Sequence, residues 1–358
     1  MSPPGRLTID LDALRDNWRR LARESAPAEC AAVVKANAYG TGIEIAAPAL
    51  FDAGCRTFFV AHVGEGARAR KALGPTPRIF VLNGFEAGAA VDDYAQSDLA
   101  PVIGSVEELT RWDTAKPYAL HVDTGMNRLG LSLAELEARA ARPALLMSHF
   151  VSAENPNDPI NIRQIAAFAR ARALFPNVSA SLANSSGIFL PQRPHYDLVR
   201  PGYALYGGTP TPGRDNPMRP VVTLEIAVQQ TRWIEAGETC GYNARWTAKR
   251  RTRLATLLVG YADGLPYSAG SGDNSPGPEV RIAGRMCSLV GRLSMDLAIA
   301  DVTDLPEDQV LPGTPARFFG PDAPLDAFAA KAGTIGYTLL TGLGSRYARS
   351  TKKTPAGL

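Results

Sequence analysis

Over the first two-thirds of the chain, short apolar runs alternate with stretches in which apolar residues recur every three or four positions. The runs fall near residues 31–34, 57–61, 79–82, 99–103, 118–122, 144–148, 178–183 and 197–199. Between them lie amphipathic stretches such as "SVEELTRWDTA", "SLAELEARAARP" and "NIRQIAAFARARALF". Near the N-terminus, "LTID" leads into Leu11, Leu14, Trp18 and Leu21 at helical spacing, with Asp10 placed to cap the helix. This reads as eight β-then-α units, and right-handed crossovers make their sheet parallel. Eight units within roughly 200 residues predict a closed (β/α)8 TIM-type barrel rather than an open sheet.

The pattern changes after "TPTPGRDNPMRP" (209–220), a Pro- and Gly-rich connection. Beyond it, "VVTLEIAVQQTRWI", "TRLATLLVGYA" and "EVRIAGRMCSLVGRLSMDLAIADV" read as strands, with a short helix at "PLDAFAAKAG". The expected organisation is α/β, with a barrel over 1–220 and a mostly β domain over 221–358. Repeats of solenoid period and low-complexity tracts are absent.

Composition adds exclusions. Of 358 residues, 45% are hydrophobic and 20% charged, enough for a substantial core, and the net charge of +3 is too small to favour nucleic acid or an anionic membrane. "MSPPGRLTID" has no apolar core of a signal peptide, and no run reaches membrane-spanning length, so a cytoplasmic location is expected. Cys30, Cys55, Cys240 and Cys287 are widely spaced without a CxxC, which points to buried thiols rather than disulfides or zinc.

In a barrel of this kind chemistry gathers where the strands end. Lys35 ends the first apolar run in "AAVVKANAYGTG"; Asp123 and Arg128 follow the fifth in "HVDTGMNRLG"; His149 ends the sixth; Asn184 and Ser185 follow the seventh; Arg200 and Gly202 follow the eighth in "VRPGYALYG". The last two loops are where barrels often hold phosphate, and Ser185, Tyr39 and Tyr203 could add hydroxyls, although ordinary turns with capping serines would look similar. A lysine beside a phosphate site suits a Schiff base to pyridoxal phosphate. A strand-end lysine that merely carries its amine to water would occupy the same position.

Nine segments taken together resemble the bacterial alanine racemases: "VVKANAYGTG", "HVDTGMNRLG", "MSHF", "ANSSG", "LVRPGYALYG", "GYNARWTAKR", "VGYADG", "GRLSMD" and "GTIGY". They run in order over nearly the whole chain. The resemblance implies a pyridoxal-phosphate-dependent isomerase interconverting L- and D-alanine, supplying D-alanine for peptidoglycan, and a homodimer whose sites combine both subunits. It implies that Lys35 carries the cofactor and serves as base on one face of the substrate Cα, while Tyr261 of the partner subunit serves on the other. Two opposed bases are what racemisation needs. It places His149 beside that tyrosine and Arg200 at the pyridine nitrogen, where a guanidinium that keeps its proton weakens the electron sink. Arg128, and the backbone N–H of Met295 of the partner subunit, would bind the substrate carboxylate. Tyr39, Asn184, Ser185, Gly202, Tyr203 and Tyr337 fall at cofactor-binding positions.

Three positions depart from the family pattern. His121 stands where many members have a carbamylated lysine that orients the arginine matching Arg128, Thr41 replaces the histidine of "YGHG", and Ser181 replaces a histidine near the arginine matching Arg200. Broader-specificity racemases and decarboxylases of the same plan are the nearest alternatives; decarboxylases want an acidic partner at the pyridine nitrogen, and Arg200 argues against that. A non-catalytic cofactor carrier would lack the β domain. The "VGEGARA" segment matches a dinucleotide fingerprint weakly, and no two histidines lie at metal-ligand spacing.

Overall fold

The structure, a computed structural model, describes residues 5–138 and 141–352. The chain divides into two compact units: Ala13–Arg219, and the segment up to Asp12 together with the chain from Pro220 onward.

In the first unit, seven parallel strands pair in chain order: Ala32–Val33, Thr57–Val60, Arg78–Val81, Ala100–Ile103, Ala119–His121, Leu145–Met147 and Ala180–Ser181. Leu198–Val199 completes the ring. It pairs in parallel with Glu29–Cys30, Ala31 N–H donates to Val199 O at 3.0 Å, and Asp197 N–H donates to Ala180 O at 3.0 Å. Every residue of Thr57–Val60, Ala100–Ile103 and Leu145–Met147 is buried, as expected of strands covered on both faces. Helices follow strands, among them Val63–Leu73 and Pro159–Ala173. Where Ser105 caps Val106–Arg111, its hydroxyl accepts the Glu108 N–H, satisfying a donor the helix leaves open. The helix expected over "SLAELEARAARP" is short, Leu133–Glu137, and residues 139–140 lie outside the described part.

The second unit is built on Val222–Ile234, whose first half alternates buried and half-buried residues as a one-sided strand does. It pairs antiparallel with Gly5–Asp10, Thr252–Leu257 and Pro315–Phe319. Gly5–Asp10 also pairs in parallel with Ala348–Lys352. The N-terminal strand therefore belongs to the β unit rather than to a 1–220 barrel domain. No local pattern marks this, because a strand's partners are set by contacts more than 200 residues away. The short helix appears at Leu325–Lys331. All four cysteines are buried and unbridged. Among the described residues no helix is long and apolar enough to cross a membrane, and no cluster of His, Cys, Asp and Glu could hold a metal ion.

Candidate active site

The barrel unit collects Lys35, Tyr39, Arg128, His149, Ser185, Arg200 and Gly202 at the strand ends. Beyond Lys35 the backbone turns left-handed for four residues, Ala36 to Tyr39, with φ between 51° and 54°. Each such non-glycine residue costs on the order of 1–2 kcal/mol, so the surroundings must hold the turn. They do so with side chains. Asn37 Oδ1 accepts from Ile43 N–H at 3.1 Å and Arg68 Nη2 at 2.7 Å, and the Thr41 hydroxyl donates to Ala38 O at 2.5 Å. Thr41 thus has a local task where the family has histidine. Glu65 accepts the N–H groups of Asn37 (3.3 Å) and Ala61 (2.8 Å). This acid in "VGEGARA" therefore braces the Lys35 turn and occupies the helix start that a dinucleotide phosphate would need, which removes that reading. Its role was not legible in the sequence, because Asn37 lies 28 residues away.

The turn delivers Tyr39 inward, stacked on Tyr206 with ring centroids 4.7 Å apart. A Cβ on Gly202 would stand 2.3 Å from the Tyr39 hydroxyl oxygen, so only glycine lets the two loops approach. Ser185 Oγ accepts from Gly202 N–H at 3.0 Å and Ala204 N–H at 3.2 Å, which leaves its own proton to offer an anion. Tyr203 is buried in the same turn. Asn184 differs: its Oδ1 accepts the Gly187 N–H at 2.8 Å and is turned into its own loop.

Arg200 is 3% exposed. Its Nη1 donates to Ser181 Oγ and its Nη2 to Ser148 O, both at 2.5 Å, while the Ser181 hydroxyl donates to Leu198 O at 2.6 Å. Ser181 therefore partners the guanidinium directly. Burial draws Arg200 down to about 9, still protonated at neutral pH. Burial, and the Arg128 charge after it, lowers the Lys35 ammonium from its ordinary value, while Glu65 opposes the shift. Burial followed by Arg200 and Arg128 takes His149 to about 3 and His121 to about 4, so both rings are neutral at working pH. His121 is a buried strand-end ring and no carboxylate. Asp123 does not pair with Arg128 either. Its Oδ1 accepts the N–H groups of Gly125 (2.9 Å), Met126 (2.9 Å) and Asn127 (3.2 Å), so it shapes the loop that carries the arginine.

The β unit carries Tyr261, Met295 and Tyr337. Tyr261 opens a short turn, Tyr261–Asp263, whose N–H groups at Tyr261 and Ala262 donate to Ser294 O (3.1 Å) and Met295 O (3.0 Å). A Cβ on Gly260 would meet Met295 O at 2.2 Å, so this pairing too requires glycine. Tyr337 lies on Gly336–Thr341, and the turn just beyond that helix reaches Tyr261–Asp263 through Gly344 N–H donating to Asp263 O at 3.1 Å. Tyr261, Met295 and Tyr337 are 41%, 52% and 40% exposed, with Tyr267 edge-on to Tyr261.

The fold and the barrel rim define a class: barrel proteins with a lysine amine of lowered basicity at a strand end. A model described as "Alanine racemase, N-terminal domain" matches residues 9–210, and one described as "Alanine racemase, C-terminal domain" matches 221–351. An alanine racemase of Methylobacterium nodulans is 56% identical over 358 residues, covering 96% of this chain and 95% of that protein. The alanine racemase of Bartonella henselae, solved with covalently bound pyridoxal phosphate, superposes with a TM-score of 0.89 at 39% identity, covering 98% of this chain and 99% of that one. The biosynthetic alanine racemase of Pseudomonas aeruginosa does so with 0.87 at 34%, covering 99% and 100%. The chain belongs to the alanine racemase family.

Proposed function

We propose that the chain racemises alanine with pyridoxal phosphate as cofactor, as a cytoplasmic homodimer, and supplies D-alanine for peptidoglycan. The observation that carries this is the meeting of Lys35, of lowered basicity, with the Arg200 guanidinium and the Ser185–Gly202 cradle on one barrel rim. These residues fit the cofactor: an available amine for its aldehyde, a hydroxyl proton and closely approached backbone for its phosphate, and a buried cation for its ring nitrogen. Tyr39, Ser185, Gly202, Tyr203 and Tyr337 are assigned to the phosphate.

When bound, the cofactor supplies an electron sink that acidifies the substrate Cα–H. Lys35 takes or returns that proton on one face. Lowered basicity helps here, because a larger share of amine is neutral at working pH. Tyr261 of the partner subunit takes the other face, and neutral His149 can accept a hydrogen bond from its phenol. Arg200, buried and charged at neutral pH, would face the ring nitrogen and, because a guanidinium keeps its proton, would leave that nitrogen unprotonated and the electron sink weaker. Arg128 and the backbone N–H of Met295 of the partner subunit receive the substrate carboxylate. Tyr261 and Met295, exposed on two backbone segments that pair with each other, support the dimer by offering apolar side chains to a partner.

The test is to incubate the purified protein with pyridoxal phosphate and single-enantiomer amino acids and resolve the products by chiral chromatography. D-alanine from L-alanine, with little turnover of larger side chains, is expected. Broad turnover would make it a general racemase, and release of carbon dioxide would replace the reading with a decarboxylase.

A further inference from the structure

We propose that Gln164 is a positioning residue that holds the Arg128 loop and the His149 segment in register; this rests on the racemase reading of those two residues. Gln164 lies on the helix Pro159–Ala173, begun by Asp158, whose carboxylate accepts the Ile160 N–H at 3.0 Å. Its side chain is wholly enclosed, at 0% exposure. A primary amide in that setting needs partners for both its N–H groups and its oxygen. Nε2 donates to Thr124 Oγ1 at 3.0 Å and to His149 O at 3.0 Å, and Oε1 accepts the Val151 N–H at 2.8 Å.

Those three partners belong to the two segments that carry the substrate-facing groups. Thr124 lies in the loop that Asp123 shapes and Arg128 ends, and its hydroxyl also meets Ser148 Oγ at 2.7 Å. On the other segment, Arg200 holds the carbonyl of Ser148 and Gln164 holds that of His149. The first carbonyl orients the peptide plane before the His149 Cα and the second the plane after it. With both planes held, the direction in which the imidazole leaves the backbone is fixed. The Thr124 contact then ties the guanidinium's loop to the same frame. A displacement of either loop by about 1 Å would be felt in turnover, since rate depends steeply on the placement of reacting groups. No catalytic motif contains Gln164; its task exists only because the helix brings it back over residues 124 and 149.

The test uses holoenzyme carrying Gln164→Glu, Thr124→Val or Thr124→Ser. It measures kcat and KM for alanine against pH, and backbone amide exchange in segments 122–130 and 148–152. Glu keeps the acceptor for Val151 but loses both donors. Q164E should therefore lose roughly thirtyfold in kcat/KM, with KM rising as Arg128 is displaced. The deficit relative to wild type should shrink as pH falls, because the protonated acid regains one donor. Both segments should exchange faster together. T124V should raise KM several-fold with kcat within about twofold, and T124S should match wild type. A Q164E enzyme with wild-type KM and a deficit that does not change with pH would overturn the proposal. So would faster exchange confined to one segment. Joint loosening in a protein whose wild type does not racemise alanine would sink the racemase reading and leave the positioning role standing.

Discussion

The barrel rim and the Tyr261 surface of the β unit are built on opposite principles. In the barrel, Arg200 is enclosed and hydrogen-bonded, His121 is buried, and the Lys35 turn is held by Asn37, Thr41 and Glu65. In the β unit, Tyr261, Met295 and Tyr337 are roughly half exposed, and the backbone around Tyr261 is tightly paired. Burial changes proton affinity, and on the barrel rim it lowers Lys35 and keeps His121 and His149 neutral. On the β unit a tightly paired turn presents the Tyr261 phenol at the surface.

The sharpest way to break this contrast is at the two proposed bases, Lys35 and Tyr261. Lys35→Ala should remove activity by about 10⁴-fold and abolish covalent retention of cofactor on gel filtration. Tyr261→Phe should cost about 10² to 10³-fold and slow solvent deuterium uptake at Cα from L-alanine more than from D-alanine. Equal mild losses in both directions would remove it as the second base. Mixing the two inactive variants tests where the halves meet. If sites combine subunits, hybrid dimers hold one intact site, and an equal mixture should regain about a quarter of wild-type activity. No recovery after subunit exchange would place both bases in one chain.

Smaller effects sharpen the barrel side. Arg128→Ala should raise KM for alanine about thirtyfold, from loss of a charged hydrogen bond of about 2 kcal/mol, with a lesser change in kcat. The smallest effect is on stability. His121 titrates at about 4 in the folded state against about 6.5 unfolded, so the unfolded chain binds more protons between those values. This contribution is complete above pH 6.5 and is lost as pH falls toward 4, by about 1 kcal/mol per pH unit. Thermal melts of the cofactor-free protein over that range should show the decline, and His121→Asn should flatten part of it.

Motif order and hydrophobic rhythm were enough to read the eight-strand barrel, the β region after residue 220 and the rim residues from Lys35 to Gly202. These are local properties: strand runs, turn glycines and the residue just past a strand end all follow from near neighbours in the chain. What Thr41 and Ser181 do was not legible, because each answer lies in a partner, and the neutral state of His121 follows from a burial that its neighbours in the chain do not reveal. Ser181 meets Arg200 19 residues on, and Thr41 closes a left-handed turn that no propensity predicts. Strand Gly5–Asp10 belongs to the β unit because its pairing residues lie at 222–226 and 348–352. Gln164 is the extreme case, an ordinary helical residue until folding encloses its amide. A sequence states which groups exist and how neighbours repeat; burial and long-range hydrogen bonds, which set proton affinity and orientation, come into being only when distant segments meet.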